Sequence, residues 1–275
     1  MAVVFDFDLT LAPGCLDALL IRCGEDPDHW RARHVAPLQE NGWEEVLASI
    51  YALVNMSNSG SGGRITKELV HDVGRNLQPY PGVPDIFASL REVARNVVPD
   101  LEVEYFLVSS GYRDIMCATS IAHEFKMIWG TELHFSSDGD IAFPKLIVTH
   151  PEKVRYILAL SKGLDPKGAN APAHVYRDVP AKDVYVPLDQ IVYVGDGRSD
   201  MSVFQLLKDQ GGIAIGLFKD KSQNWNANDR TDPRRRVQNL APADFSDGSE
   251  LIASLNLAVG SIARKIALRR LSRGE

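Results

Sequence analysis

MAVVFDFDLTLAP (residues 1–13) places a short apolar run directly before two aspartates, Asp6 and Asp8. The run AVVF (2–5) is typical of a strand that is buried on both faces of a parallel sheet. Alternate residues of an extended chain point the same way, so we expect the two carboxylates to face one region. Crowded carboxylates raise a pKa or bind a cation, and Mg²⁺ prefers such oxygen ligands. The stretch alone fits equally well one capping aspartate followed by one solvated loop residue.

The bulk composition is that of an ordinary folded protein. The chain has 275 residues, of which 45% are hydrophobic and 24% are charged. This length fits one large α/β domain, or a core domain with a smaller partner. The net charge of -6 gives no support to a nucleic-acid binder. The basic segment near the end, 264–273, is expected to be a solvated helix end, where cations are favourable.

The cysteines and the N-terminus bear on the compartment. Three cysteines, Cys15, Cys23 and Cys117, are an odd number without a C-x-x-C pair. We therefore expect no disulfide framework or zinc ribbon, and a reducing compartment, the cytoplasm. The start of the chain has neither the basic region nor the long apolar region of a signal peptide. No run of about 18 apolar residues predicts a membrane span, and the oligomeric state stays open.

Strands alternate with helices through the C-terminal two-thirds of the chain. This pattern predicts an α/β fold, a Rossmann-like and mostly parallel sheet with helices on both faces. Predicted strands lie at 2–5, 103–111, 190–200 and 213–218, with a hairpin whose turn is SSDGD (136–140). Predicted helices lie at 16–24, 43–56, 65–74, 85–96, 113–125, 152–163, 201–212 and 249–271. In the third of these, Thr66 is the expected N-cap and Gly74 the stop. The stretches 57–63, 165–187 and 219–236 are predicted to be a flexible loop, a surface insertion and a polar loop.

Three of the predicted strands end in polar residues. DFD (6–8) follows the first strand, Ser109 and Ser110 end the second, and GDGRSD (195–200) follows the third. Ligands of open α/β sheets bind at the carboxyl ends of the strands, so these groups are expected to share one site. Lys153 stands at the start of the helix before the third of these strands.

The ordered set DFDLT (6–10), VSSG (108–111), Lys153 and GDGRSD (195–200) resembles the four motifs of the haloacid dehalogenase (HAD) superfamily. The resemblance covers residues 1–11 and 80–216, and is strongest to the phosphoserine phosphatase-like branch. It implies a HAD-like α/β core domain at 1–11 and 79–275. The segment 12–78 would be a small helical cap domain that closes over the site and excludes water.

The resemblance implies roles for the acidic residues. Asp6 would be the nucleophile that attacks phosphorus and forms an aspartyl-phosphate. Asp8 would be the general acid for the leaving oxygen, and then the base that activates water. Mg²⁺ would be held by the carboxylate of Asp6, the backbone carbonyl of Asp8 and Asp196. Asp200 would orient water beside the metal without binding the ion itself.

The remaining motif residues would hold the phosphate and the loop. Ser109 would donate a hydrogen bond to a phosphoryl oxygen, and Ser110 stands beside it where the superfamily usually has glycine. Lys153 would bridge Asp6 and the phosphate, keeping the nucleophile ionised. Thr10 would brace the loop after the first strand. These are the electrostatic and positioning tasks of phosphoryl transfer.

Asp8 separates the subclasses that the resemblance allows. The dehalogenases lack an aspartate at this position and P-type ATPases have threonine, so Asp8 favours a phosphatase or phosphotransferase. A phosphonate hydrolase would need a cap lysine, and Lys67, the only lysine between Leu11 and Pro79, is expected to be solvated. Two alternatives stay open: a phosphotransferase or mutase, and a non-catalytic sensor of a phosphorylated ligand.

The substrate is the least determined part of the prediction. DFDLTLAPGCLD (6–17) lacks the glutamate with which phosphoserine phosphatases read the amino acid, so phosphoserine is not the expected substrate. In WRARH (30–34), Arg31, Arg33 and His34 could read the leaving group. The alternative is a solvated helix with Trp30 buried. The sequence therefore predicts a Mg²⁺-dependent phosphomonoester hydrolase for a small phosphorylated metabolite.

Overall fold

A computed structural model describes residues 1–60, 62–165, 175–218 and 236–273. A seven-stranded sheet with the order β4-β3-β2-β1-β5-β6-β7 forms its centre. All neighbouring strands are parallel except β3 and β4, which form an antiparallel hairpin. The strands are β1 (Ala2–Phe5), β2 (Glu104–Tyr112), β3 (Phe125–Phe135), β4 (Ile141–Leu146), β5 (Ile191–Gly195), β6 (Ile213–Phe218) and β7 (Asn239–Pro242).

Helices cover the sheet and fill the segment between β1 and β2. That segment contains α1 (Cys15–Arg22), α2 (Pro27–Trp30), a π-helical turn (Arg31–Val35), α3 (Ala36–Glu40), α4 (Glu45–Ser59), α5 (Lys67–Asn76) and α6 (Val83–Arg95). After β2 come α7 (Arg113–Ala118), α8 (Lys153–Ser161), α9 (Met201–Gln210) and α10 (Glu250–Arg273). The mostly parallel α/β architecture predicted from the sequence is confirmed.

The two faces of the sheet pack against different helices. Successive strand residues point to opposite faces, and Val3 and Phe5 lie in one hydrophobic cluster while Ala2 and Val4 lie in the other. The first cluster includes buried residues of α1, α4, α5, α6 and α10. The second includes buried residues of α8 and α9. Both faces are therefore dry, which explains why β1 reads as a continuous apolar run.

Several predicted boundaries are wrong. The helix predicted for 113–125 ends at Ala118, where the hydroxyl of Thr119 donates to the carbonyl of Met116 at 2.7 Å. A threonine that bonds to its own preceding turn competes with helix continuation. A short 3₁₀ turn then leads to β3, which begins at Phe125. The predicted loop 57–63 begins too early, because α4 continues to Ser59.

The Thr66 cap is confirmed, but Gly74 does not stop α5. The hydroxyl of Thr66 accepts a hydrogen bond from the amide of Leu69 at 3.2 Å. Gly74 lies inside the helix, where an added Cβ would stand 2.3 Å from the carbonyl oxygen of Ile115. Glycine is needed there because α5 passes close to the backbone of α7. The helix continues to Asn76.

The sequence reasoning missed β7. This strand, NLAP (239–242), is four residues long, pairs with β6 at the edge of the sheet and ends in proline. Proline is tolerated on edge strands but reads as a strand breaker. The predicted polar loop 219–236 lies outside the described residues except for its last residue. Residues 166–174 of the predicted insertion 165–187 also lie outside them.

The C-terminal helix α10 is a core element as well as an apolar one. By length and composition alone, its residues Glu250–Ser272 could cross a membrane, and 44% of the most apolar window is buried. Lys265 and Arg269 form ion pairs with Asp189, and Arg270 pairs with Asp100. The helix therefore buries part of its apolar surface in the core, through residues such as Leu255 and Val259, and these basic residues form ion pairs with the rest of the protein.

Candidate active site

The register of the three central strands brings the predicted site residues to one edge. Phe5 of β1 is level with Leu107 of β2 and with Val194 of β5. Because the three strands are parallel and level at these residues, the residues that follow Phe5, Leu107 and Val194 lie at the same edge of the sheet. The amide of Asp6 donates to the carbonyl of Val194 at 2.9 Å, which fixes Asp6 at this edge.

Asp6 is a buried carboxylate with one cationic neighbour. Its side chain is only 5% exposed, and the ammonium of Lys153 lies 3.1 Å from Oδ1. The amide of Phe7 donates to the same oxygen at 2.8 Å. Burial raises the pKa of Asp6 well above its usual value; Lys153 opposes this shift, and the charge of Asp200 adds to it. Holding Asp6 ionised therefore depends on cations at this edge.

Lys153 links two acidic residues. It is the first residue of α8 and is fully buried. Its ammonium donates to Asp200 Oδ1 at 2.7 Å and to the hydroxyl of Ser199 at 3.2 Å, besides its pair with Asp6. Burial alone would lower the pKa of Lys153, but the charges of Asp200 and Asp6 outweigh it and raise the pKa above its usual value. The two carboxylates therefore favour the protonated form of this lysine.

Asp200 is held by three donors and has no exposed surface. Besides Lys153, the hydroxyl of Tyr193 donates to its Oδ1 at 2.6 Å. The amide of Gly197 donates to Oδ2 at 3.4 Å. Three donors on one carboxylate offset the loss of water that burial imposes.

Asp8 lies in a separate environment from Asp6. Its Oδ1 accepts a hydrogen bond from the amide of Cys15 at 2.9 Å. Burial raises the pKa of Asp8, against the hydrogen bonds of Cys15. Gly111 lies so close that an added Cβ would be 2.8 Å from Asp8 Oδ2. A carboxyl with a raised pKa can carry the proton that a general acid needs.

The loop that carries Asp8 is a tight turn. The amide of Leu9 donates to the carbonyl of Ala12 at 2.8 Å, and the amide of Thr10 donates to Phe7 at 3.1 Å. Leu9 has a φ of 61°, the left-handed conformation. Such a conformation costs a residue with a side chain about 1–2 kcal/mol. The hydroxyl of Thr10 is buried without a hydrogen-bond partner, so only its backbone braces the turn.

Three carboxylates could hold a metal ion. One oxygen each from Asp6, Asp196 and Asp200 lie within 4.8 Å of one another. An all-oxygen set of carboxylates fits Mg²⁺, which takes few protein ligands and keeps several waters. Asp6 and Asp196 line the cavity described below and Asp200 does not, so the first two face the space that an ion could enter.

The end of β2 presents two serines to the same space. Ser109 is buried, and its Oγ accepts a hydrogen bond from the amide of Gly111 at 3.1 Å. The hydroxyl of Ser110 is buried without a hydrogen-bond partner, although its carbonyl accepts from the hydroxyl of Thr131 at 2.9 Å. Both hydroxyl groups keep a proton available for an oxyanion.

A cavity of about 660 Å³ opens over these groups. One wall, the strand-end wall, consists of residues at the carboxyl edge of the sheet and at the start of α8: Asp6, Asp8, Ser109, Ser110, Gly111, Lys153, Asp196 and Ser199. The opposite wall, the helical wall, consists of Leu16, Arg31, Glu45, Val46 and Ser49 from the helices between β1 and β2. A volume of this size suits a small molecule.

Solved structures with this architecture share its overall arrangement. A HAD family hydrolase from Salmonella enterica serovar Typhi aligns with a TM-score of 0.60 and 12% identity, over 94% of this chain and 70% of that one. A phosphoserine phosphatase solved as a phospho-aspartyl intermediate analogue aligns with a TM-score of 0.52 and 14% identity, over 87% and 91%. A probable phosphoserine phosphatase from Vibrio cholerae aligns with a TM-score of 0.56 and 12% identity, over 96% and 66%.

The chain has the HAD fold. At these identities the likeness establishes the fold, and the chemistry must be argued from the residues of this chain. A relative in sequence, an uncharacterised protein from Borreliella burgdorferi, is 22% identical over 91% of this chain and 93% of its own length. No protein-family model matches the chain.

In this HAD fold, most of the site residues predicted from the sequence come together. Asp6, Asp8, Ser109, Ser110, Lys153 and Asp196 all line the cavity. Asp200 and Thr10 are buried and lie outside the set of lining residues.

Of the three basic residues predicted to contact the leaving group, one lines the cavity and two do not. Arg31 lines the cavity and forms an ion pair with Asp17. Arg33 and His34 are exposed and lie outside the lining residues. Trp30 is buried, and its indole N–H contacts the sulfur of Met56 at 3.2 Å. Their proposed role in specificity therefore rests mainly on Arg31.

Sequence reasoning missed several residues of the site. Tyr193 reads as an ordinary apolar member of β5, and only the fold shows that its hydroxyl meets Asp200. Ser199 stands inside the GDGRSD motif and could have been singled out from it. Glu45 and His150 line the cavity from segments without a motif. Nothing in the local sequence signals these last two, because chain folding alone brings them there.

Proposed function

We propose that the protein is a Mg²⁺-dependent phosphomonoester hydrolase that transfers a phosphoryl group through Asp6. One observation carries this proposal: a buried carboxylate paired with a buried lysine lies in a cavity beside a second carboxyl, which accepts a hydrogen bond from the Cys15 amide. A nucleophile and a general acid need such different environments at one site. The neighbouring folds named as phosphatases support the assignment of reaction class.

Asp6 would attack phosphorus and form an aspartyl-phosphate. The amide of Phe7 and the ammonium of Lys153 both donate to Oδ1, which orients the carboxylate and leaves Oδ2 as the attacking oxygen. Lys153 favours the ionised state of Asp6 and offsets the repulsion of an incoming phosphate. Ser109 and Ser110 would donate to phosphoryl oxygens from the end of β2.

Asp8 would donate a proton to the leaving oxygen. Burial raises its pKa, and the Cys15 amide fixes one oxygen, so the other oxygen is free to carry and release the proton. After the leaving group departs, the same carboxylate would take a proton from the water that attacks the aspartyl-phosphate.

Mg²⁺ would be held by the carboxylates of Asp6 and Asp196, with the Asp8 carbonyl as a third donor. When bound, the ion supplies positive charge between nucleophile and phosphate, which otherwise repel one another. Asp200 would act indirectly, because its hydrogen bond with Lys153 holds that ammonium in place. Burial raises the pKa of Asp6 even with Lys153 beside it, which supports a need for a second cation at this edge.

The residues 12–78 would act as a cap domain on a core of residues 1–11 and 79–275. Their helices supply the helical wall opposite the proposed phosphate site. Groups on this wall would contact the leaving portion of a substrate, so we assign them specificity. Arg31, with smaller contributions from Arg33 and His34, would select among small phosphorylated metabolites.

Two alternative functions predict different products. A phosphotransferase or mutase would pass the phosphoryl group from Asp6 to another hydroxyl, which requires a cap that keeps water out. An added alcohol acceptor would then yield a new phosphate ester. A non-catalytic sensor would bind phosphate ligands without turnover. It has no use for both Asp6 and Asp8 at their present positions.

The test is Mg²⁺-dependent release of phosphate from 4-nitrophenyl phosphate. We expect activity in the wild type, and a loss of at least about 10³-fold in Asp6→Asn and in Asp8→Asn. Asp138→Asn, in an exposed turn, is the matched control and should retain full activity. Mg²⁺-independent turnover, or turnover that survives Asp6→Asn, would overturn the proposal.

A further inference from the structure

Tyr193 is a buried polar residue outside the predicted motifs. It lies on β5 with no exposed surface, and its ring packs edge-on against Phe204. Its hydroxyl donates to Asp200 Oδ1 at 2.6 Å. A hydrogen bond from a hydroxyl to a buried carboxylate is short and strong when the acceptor is charged. The Tyr193 hydroxyl therefore stabilises the buried negative charge of Asp200.

This hydrogen bond is the first of three contacts that link four buried groups in a chain. Asp200 Oδ1 accepts from both Tyr193 and Lys153, the latter at 2.7 Å. Lys153 in turn lies 3.1 Å from Asp6 Oδ1. Tyr193, Asp200 and Lys153 have no exposed surface, and Asp6 is 3% exposed. Burial leaves water little access to these contacts, so each member constrains the next.

Two carboxylates compete for one ammonium in this chain. Lys153 is 0.4 Å closer to Asp200 than to Asp6, from the distances of 2.7 and 3.1 Å. A buried carboxylate that lacks another donor holds a cation more tightly, because nothing else offsets its desolvation. The Tyr193 hydroxyl is a neutral donor that stabilises Asp200 without touching Asp6. This hydrogen bond therefore weakens the attraction of Asp200 for the Lys153 ammonium that it shares with Asp6.

We propose that Tyr193 is a positioning residue for phosphoryl transfer: its hydroxyl holds Asp200 so that Lys153 stays shared with Asp6 and directed at the phosphate. The inference rests on the proposed phosphatase function. Without the hydroxyl, Asp200 draws Lys153 away from the nucleophile, and the charge that builds up during attack loses part of its stabilisation.

The simpler account is that Tyr193 is a core tyrosine whose hydroxyl bonds to the nearest acceptor. Tyr156 provides the matched control. It has no exposed surface, belongs to the same hydrophobic cluster, and lies on α8 only three residues after Lys153. Its hydroxyl accepts a hydrogen bond from the guanidinium of Arg155 at 3.3 Å, and Arg155 is not one of the four buried groups. Loss of the Tyr156 hydroxyl changes local packing and polarity but leaves the contacts among the four buried groups in place.

The experiment compares Tyr193→Phe with Tyr156→Phe in steady-state hydrolysis of 4-nitrophenyl phosphate with saturating Mg²⁺. We expect Tyr193→Phe to lower kcat about tenfold with KM changed less than about twofold. Tyr156→Phe should keep both constants within about twofold of wild type. Urea denaturation of each variant separates loss of fold from loss of positioning.

A second variant tests whether Tyr193 acts through Asp200. In an Asp200→Asn background the charge that Tyr193 stabilises is gone, so Tyr193→Phe should lower kcat by no more than about twofold further. Equal effects in both backgrounds, or equal effects of the two tyrosine variants, would overturn the inference while leaving the phosphatase proposal intact. An inactive but folded wild type would instead refute the proposed function, and the inference with it.

Discussion

The strand-end wall and the helical wall of the cavity differ in how far their charged side chains are exposed to solvent. On the strand-end wall, Lys153 and Asp6 are buried and paired, with side-chain exposures of 0% and 5%. On the helical wall, the Arg31 side chain is 39% exposed, its partner Asp17 is 31% exposed, and Glu45 is exposed. The Lys153–Asp6 pair is thus desolvated on one wall, whereas the Arg31–Asp17 pair on the other is partly hydrated.

This difference separates chemistry from recognition. Electrostatic interactions gain strength where water is excluded and positions are fixed, so the buried wall is suited to stabilising a transition state. Half-exposed groups interact weakly and can change partner, which suits contact with a leaving group that varies. Substitutions on the first wall should therefore change every substrate equally, and those on the second should change the preference.

The largest effect is expected from Lys153→Met. Removal of the ammonium leaves Asp6 and Asp200 buried without their shared cation, so we expect a destabilisation of about 3–5 kcal/mol. The expected loss of phosphatase activity is at least about 10³-fold for all substrates. Phosphate release and urea denaturation measure the two effects.

Lys126→Met is the control for that experiment. Lys126 forms an ion pair with Glu104 but is 47% exposed. Exposed pairs contribute about 0–1 kcal/mol, so this variant should remain close to wild type in stability and activity. If both lysine variants behaved alike, the contrast between buried and exposed charge would have no basis.

Gly111→Ala should lower activity with little loss of stability. The added Cβ would stand 2.8 Å from Asp8 Oδ2 and must displace the carboxylate. A side chain can move aside cheaply, but a shift of about 1 Å in a catalytic group can cost about 10²-fold in kcat. Kinetics with 4-nitrophenyl phosphate and a thermal melt give both quantities.

Gly260→Ala is the matched control for Gly111→Ala. Gly260 lies within α10, and an added Cβ would come no closer than 3.4 Å to the flexible end of Arg264. Alanine in place of a helical glycine should stabilise by up to about 1 kcal/mol without changing kcat. An active, unperturbed Gly111→Ala enzyme would show that Asp8 is not held as tightly as we infer.

Arg31→Ala should change substrate preference rather than overall activity. Its guanidinium lines the helical wall beside Asp17, so we expect relative kcat/KM values across a panel of phosphate monoesters to shift by about tenfold. Arg33→Ala, at an exposed position outside the cavity, should shift them by less than about twofold. An equal loss of kcat/KM for every substrate would instead assign Arg31 to catalysis.

The smallest effect concerns an ion pair outside the cavity. Burial alone would raise the pKa of Asp189, but hydrogen bonds from Arg269 and Lys265 lower it below its usual value. Asp189→Asn should therefore cost about 1 kcal/mol near neutral pH. The difference from wild type should shrink as the pH falls below about 4, the usual carboxyl pKa, and should disappear only below the lowered native pKa, where the native carboxylate is protonated. Urea titrations of both proteins from neutral to acid pH would show it, and a difference that grew in acid would contradict the assignment.

Much of the fold could be predicted because its signals are local. The apolar runs of β1, β2, β5 and β6 and the turn of the β3–β4 hairpin all read correctly. Two of the failures depend on contacts distant in sequence. Gly74 looks like a helix stop until the backbone of α7 beside it is known. The edge strand β7 is defined by its pairing with β6 and not by its composition.

The candidate site divides in the same way. Residues in ordered motifs, such as Asp6 and Asp196, were predicted because the strand order brings strand ends together. Tyr193 could not be, since a tyrosine in an apolar strand fits packing alone. On the helical wall, no pattern in WRARH (30–34) tells which basic group turns inward; the ion pair with Asp17 and the local backbone decide that Arg31 does.

The most direct test of the central claim is to locate the transferred phosphoryl group. Wild type and Asp8→Asn would be mixed with 4-nitrophenyl phosphate and Mg²⁺, quenched in acid within one turnover, digested and analysed by mass spectrometry. This leaving group needs no general acid, so Asp8→Asn should accumulate the intermediate. We predict a phosphoryl group on Asp6 that hydroxylamine removes, as expected for an acyl phosphate. Phosphate release without that adduct, or an adduct on Ser109, would contradict the account.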